Sequence, residues 1–384
     1  MEGIPRRENT ALRHFIEDYW DIFVGVFSII FAFYLHKIGQ GGFATLFAAI
    51  GIGSLSLSVA EVAEILSERL QEPYGSLVLT LSAVAVEIVL LYIILLQAFS
   101  DPSVIDTVKG GIIAAVIVDM NVLLGLAVFV GGLKFTAQEH NKETSSAYTT
   151  ILFVTSIALL VPSLLSHGKH TVGDIEEASI LIAILLMLFY FIILVFQVKT
   201  HTHFFKQTAR SRIFRLKRKN QENDTEEDDY IFDRFNNFFL IATIFVFIAV
   251  IALGAEVFAN DGIKLAREYN ISAGISGLII AIVAVAPEIV TAIKAAKNDE
   301  IQRVVNIAMG ASTVSILLTV PILMALAYAS GIRLTLDFSP LEIGALILTI
   351  ILAWKTTDEG QTNYFEGISH LMFFAAFAIV AIYY

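Results

Sequence analysis

The sequence predicts an all-α polytopic membrane protein of about eleven transmembrane helices, one leading helix followed by two inverted five-helix repeats. Three observations predict it. Apolar runs of roughly 20 residues, the length that crosses a bilayer, recur along all 384 residues, and the mean hydropathy is +0.75 with 57% hydrophobic residues. A short motif occurs twice: Ala83 to Ile88 reads AVAVEI and Ala284 to Ile289 reads AVAPEI, matching at five of six positions. One long polar segment divides the apolar runs unequally, which fixes how the halves must be inserted.

Taken in order, the spans read as roughly 20–37, 42–66, 74–98, 108–132, 148–166 and 178–198, then 236–258, 271–294, 303–328, 340–354 and 366–383. The chain therefore divides into a lead-in and first helix (1–40), a first repeat (41–198), a linker (199–235) and a second repeat (236–384). Each repeat holds five spans, an odd number, so the second is inverted relative to the first. The first apolar run reads as a retained helix rather than a cleavable signal. A cytoplasmic N-terminus places Arg6, Arg7, Arg13, Arg69, Lys134, Lys142, the nine basic residues from Lys199 to Arg234, Lys294, Lys297, Arg303 and Lys355 inside. These are 19 of the 25 Lys and Arg, a bias that sets the orientation. The linker is basic from Arg210 to Lys219 and acidic from Glu222 to Asp229. It reads as a solvated segment resting on anionic lipid, or as an acidic stretch that gathers cations.

Composition excludes several classes. There is no Cys, hence no disulfide and no thiolate metal site. No GxxxxGK[ST] loop is present to bind ATP, and HExxH and GxSxG are both absent, which argues against an intramembrane hydrolase. No filter loop lies between spans, as a passive cation channel would need. Nothing points to nucleic acid or to a bound cofactor, and no oligomeric state is indicated.

The chemistry concentrates on two glutamates. Glu87 and Glu288 fall near the middle of their apolar runs, where a carboxylate is costly and marks a functional site. Pro287 breaks the helix pattern beside Glu288 and frees the Val283 carbonyl. If the repeats are related by a pseudo-twofold axis, the third and eighth spans cross and bring both carboxylates together. The pair cannot stay ionised without a counter-charge, which a divalent cation or protons supply. Competition between the two is a physical basis for antiport. Asp119 and Asn121 on the fourth span, and Ser312 and Ser315 on the ninth, are candidate further oxygens for a cation that prefers six to eight. For Ser312 a bond back to its own helix is the alternative. Glu61 and Glu64 share one face of the second span and Glu256 lies on the seventh; they read as an access path or proton relay, or as wetted helix ends. His36 and His370 have no acidic neighbours at ligand spacing and read as structural.

These features resemble the cation/calcium exchanger superfamily, in its bacterial calcium/proton antiporter branch. The resemblance rests on AEILSERLQEPYGSLVLTLS from Ala63 to Ser82, on VAPEIVTAIKAAKNDEIQRVVNIAMGASTVSILLTVP ending at Pro321, and on GQTNYFEGISHL from Gly360 to Leu371. It implies an eleven-helix fold, proton-coupled cation efflux, cation-binding roles for Glu87 and Glu288, and an acidic stretch in the central loop. Related exchangers tend to show a small or Asn-Gly pair where this chain has Asp119-Met120-Asn121-Val122, and vacuolar relatives a glutamine in place of Val314. Both departures bear on selectivity. The expectation is a non-enzymatic calcium/proton antiporter of the cytoplasmic membrane, with calcium as transported substrate. Sodium or potassium exchanged for protons on the same fold is the alternative.

Overall fold

The structure is a computed structural model that describes residues 7–70, 74–166, 168, 171–201 and 231–383. The acidic run from Glu222 to Asp229 and the residues Gln71, Glu72 and Pro73 lie outside the described residues. Among the described residues eleven helices are long and apolar enough to cross a membrane. They are α1 (Tyr19–Lys37), α2 (Gly41–Leu70), α3 (Leu77–Phe99), α4 (Val104–Phe135), α5 (Lys142–Ser166), α6 (Val172–Thr200), α7 (Asn237–Glu268), α8 (Ala273–Lys297), α9 (Ile301–Ala329), α10 (Pro340–Thr357) and α11 (Tyr364–Tyr383). Several run past their apolar cores: α7 continues to Glu268, and α5 begins at Lys142. Side-chain caps set the starts. Asn236 accepts from the Phe239 amide and Ser272 from the Ile275 amide, while Thr171 with Asp174 and Ser339 with Glu342 form capping boxes.

The two repeats share local geometry as well as sequence. Both α4 and α9 are interrupted at mid-length by a π-helical turn, Asp119–Leu123 in one and Ser315–Thr319 in the other. Such turns widen the helix by one residue and often mark functional sites. Helix α8 packs along α4, and α3 packs against α9, so each motif glutamate faces the bulged helix of the opposite repeat. Close approach of α8 to α4 depends on glycine: a Cβ on Gly277 would lie 2.5 Å from the Gly111 amide nitrogen. Pro287 is buried inside an unbroken α8.

Each face is fastened by a segment of the opposite repeat. On one face, β1 (Ala137–Glu139) pairs antiparallel with β2 (Gln361–Asn363). Buried Gln138 there donates to the Ala296 carbonyl at 3.0 Å, and His140 Nε2 lies 3.1 Å from the Thr357 carbonyl. On the other face the extended segment before α10 is held by Ser179 and Ser163, which accept from the Leu336 and Phe338 amides, each at 2.9 Å.

Candidate cation site

Glu87, Asp119, Glu288 and Ser315 line one small cavity at the crossing of α3, α4, α8 and α9, walled by alanines such as Ala83, Ala284 and Ala311. It has room for about one water-sized occupant. Glu87 is buried, and its Oε2 accepts from Ser315 Oγ at 2.7 Å and Thr319 Oγ1 at 3.4 Å. Asp119, at the head of the α4 π-turn, accepts from Ser312 Oγ at 3.1 Å and interacts electrostatically with both Glu288 and Glu87. Glu87 Oε1 and Asp119 Oδ1 are buried with no hydrogen-bond partner among the described residues. Glu288 is partly buried. None of the lining residues is basic, so positive charge must come from what binds there. Among the described residues no three His, Asp or Glu side chains form a ready metal-binding group. The two orphaned oxygens belong to carboxylates that share the cavity without closing around a point.

The two central glutamates therefore meet at one cavity, with Asp119, Ser312 and Ser315 beside them. Ser312 bonds across to Asp119 rather than back to its own helix. Thr319 is a further donor to Glu87, one turn beyond Ser315; the i, i+4 spacing of two hydroxyls was its signal.

Other expected site residues lie elsewhere. Asn121 turns away from the cavity, because two helical steps from Asp119 carry a side chain to the opposite face. Its Nδ2 donates to Thr349 Oγ1 at 2.9 Å and to the Ile117 carbonyl at 3.0 Å. Glu256 is exposed on the outer stripe of α7 that includes Leu253 and Val246, and does not join Glu61 and Glu64. Glu64 forms an ion pair with Arg303 of α9, which also lies 3.6 Å from Glu300. Glu61 is partly buried, one turn before Glu64 on α2. His36 of the leading helix does have an acidic partner, Asp261 Oδ2 at 2.8 Å, contributed by α7 of the second repeat. His370 is fully buried and, among the described residues, bonded to the uncharged side chains of Asn121 and Thr356.

A bundle of apolar spans in two inverted halves, crossing at an acidic, hydroxyl-lined cavity, defines a membrane cation exchanger. The chain belongs to the sodium/calcium exchanger protein family, whose model matches residues 39–199 and 239–383. It is 28% identical over 340 residues to the sodium-potassium/proton antiporter ChaA of Escherichia coli (strain K12), covering 86% of this chain and 87% of that one. It is 23% identical to a Ca2+/H+ antiporter of Aphanothece halophytica, covering 83% and 84%. Among solved structures, native YfkE superposes with a TM-score of 0.77 at 20% identity, covering 95% of this chain and 100% of that one.

Proposed function

We propose that the protein is a calcium/proton antiporter in which Glu87, Asp119 and Glu288 hold a cation and protons in turn. The observation that carries this reading is the gathering of three carboxylates in one cavity with no basic lining residue. Two of them keep a buried oxygen without a hydrogen-bond partner among the described residues. A calcium ion gains about twice as much as a monovalent ion from each ligand charge. Without it, protons must neutralise the cluster, so cation entry releases protons and cation exit takes them up. Ser312, Ser315 and Thr319 hold the carboxylates in place and supply neutral oxygens.

The reading includes the cytoplasmic membrane as location, supported by likeness to bacterial antiporters, and a cytoplasmic N-terminus, supported by the distribution of Lys and Arg. Calcium is then exported as protons enter. Likeness to a sodium-potassium/proton antiporter over 86% of the chain favours a second reading, with a monovalent cation as cargo. Purified protein in proteoliposomes, offered calcium, sodium and potassium separately, separates the two. Calcium reading: proton flux starts with calcium and saturates at lower concentration than with either monovalent ion. Flux with sodium or potassium alone selects the other.

A further inference from the structure

Behind the α4 π-turn, on the side away from the acidic cavity, lies a string of buried polar side chains. Asn121, Thr349 and His370 are each 0% exposed and Thr356 is 3% exposed. Asn121 Nδ2 donates to Thr349 Oγ1 of α10 and to the Ile117 carbonyl. His370 Nδ1 of α11 lies 3.0 Å from Asn121 Oδ1, and Thr356 Oγ1 of α10 lies 3.0 Å from His370 Nε2. The direction of the string is determined. A carbonyl can only accept, so the Asn121 NH2 faces Ile117 and its oxygen faces His370. His370 Nδ1 therefore donates, and in the neutral ring Nε2 accepts from the Thr356 hydroxyl. Every ring nitrogen and both polar atoms of the amide are satisfied in a dry setting, the condition under which such networks are rigid.

Asn121 sits inside the same π-turn that begins at Asp119. The equivalent turn of α9 carries Leu317 at that place, and no string. Of these two turns, the anchorage thus belongs to the one that carries a carboxylate. We propose that His370 is a positioning residue for cation selectivity: through Asn121 it fixes the α4 π-turn so that Asp119 faces Glu288 and Glu87. Loosening the turn withdraws one ligand charge from the cavity, which weakens a divalent cation more than a monovalent one.

This rests on the exchange reading above, and the test keeps the two apart. Full-length wild type, His370→Leu, His370→Asn and Thr349→Val are assayed in proteoliposomes for KM and kcat with calcium and with sodium. Folding is followed by size-exclusion chromatography and thermal midpoint. His370→Leu is expected to raise the calcium KM about tenfold, as loss of an outer-shell partner does, with kcat nearly kept and the sodium KM shifting less. His370→Asn, whose amide reproduces the donor to Asn121, is expected to recover most of the loss. Thr349→Val preserves packing and should shift the calcium KM in the same direction, by less; if His370→Leu fails to fold, this variant decides alone. Unchanged KM values, equal shifts for both cations, or no recovery in His370→Asn overturn the inference. Wild type that carries only sodium or potassium overturns the exchange reading instead. Positioning is then scored on KM for that ion, a rise with recovery in His370→Asn supporting it and no rise overturning it.

Discussion

Glu87 and Glu288 hold matching places in two inverted halves, yet their surroundings differ. At the head of the α9 π-turn Glu87 meets a hydroxyl, Ser315; at the head of the α4 π-turn Glu288 faces a carboxylate, Asp119. The second half-site is therefore richer in negative charge. Replacing Asp119 with Asn keeps size and hydrogen bonding but removes that charge. Asp119→Asn should weaken calcium affinity by about tenfold or more and sodium affinity by clearly less. Cation titration of both ions on the purified variant checks this, and equal weakening would reduce Asp119 to a packing role. The glutamates were legible in the sequence because a duplicated motif at mid-span has few explanations. The turning of Asn121 toward His370 was not. Its partners lie 228 and 249 residues away, on helices with no local signal that they meet.

Among the helices, the site depends on how closely α8 approaches α4. Gly277 packs directly on the Gly110–Gly111 backbone, and a methyl group there has nowhere to go without moving one helix. Small residues serve this purpose between membrane helices. Gly277→Ala should cost about 1–3 kcal/mol through overpacking and reduce exchange more than it reduces yield, since Glu288 and Asp119 separate with the helices. Thermal unfolding beside a flux assay reads both effects. The paired strands β1 and β2 make a second prediction, in pH. Burial lowers the His140 imidazole below the ordinary histidine range, against the smaller opposing effect of its bond to Thr357, and Nδ1 has no partner among the described residues. The folded value lies below the unfolded one, so the ribbon's stabilisation is complete above about pH 6.5 and is lost as pH falls through the folded value. Hydrogen exchange at residues 137–141, corrected for intrinsic rates, should quicken below about pH 6.5 in wild type and show no such step in His140→Gln. Glu256 shows where pattern reading stops at this scale. From Phe238 to Ala255 helix α7 is apolar on every side apart from Thr243, so no polar stripe ahead of Glu256 indicates which side faces outward.

For the molecule as a whole, span number and inversion followed from hydropathy and from an odd helix count, because only helices satisfy their backbone inside a bilayer. Contacts between distant helices, such as His36 of the leading helix with Asp261 and the Ser163 and Ser179 anchorage of the segment before α10, required the fold itself. Orientation rests on the Lys and Arg distribution, and a single cysteine at Asn223 should be labelled by an impermeant maleimide only when the cytoplasmic face is opened. Labelling from outside intact cells would reverse the topology and the direction of transport. The central claim is that cation and protons compete for the shared carboxylates. Its most direct test is the apparent calcium affinity of the purified protein, measured by titration between about pH 6 and pH 8. Competition predicts that affinity falls steadily as pH drops, with the dependence weakened in Glu288→Gln; a calcium affinity that stays constant across that range would contradict it.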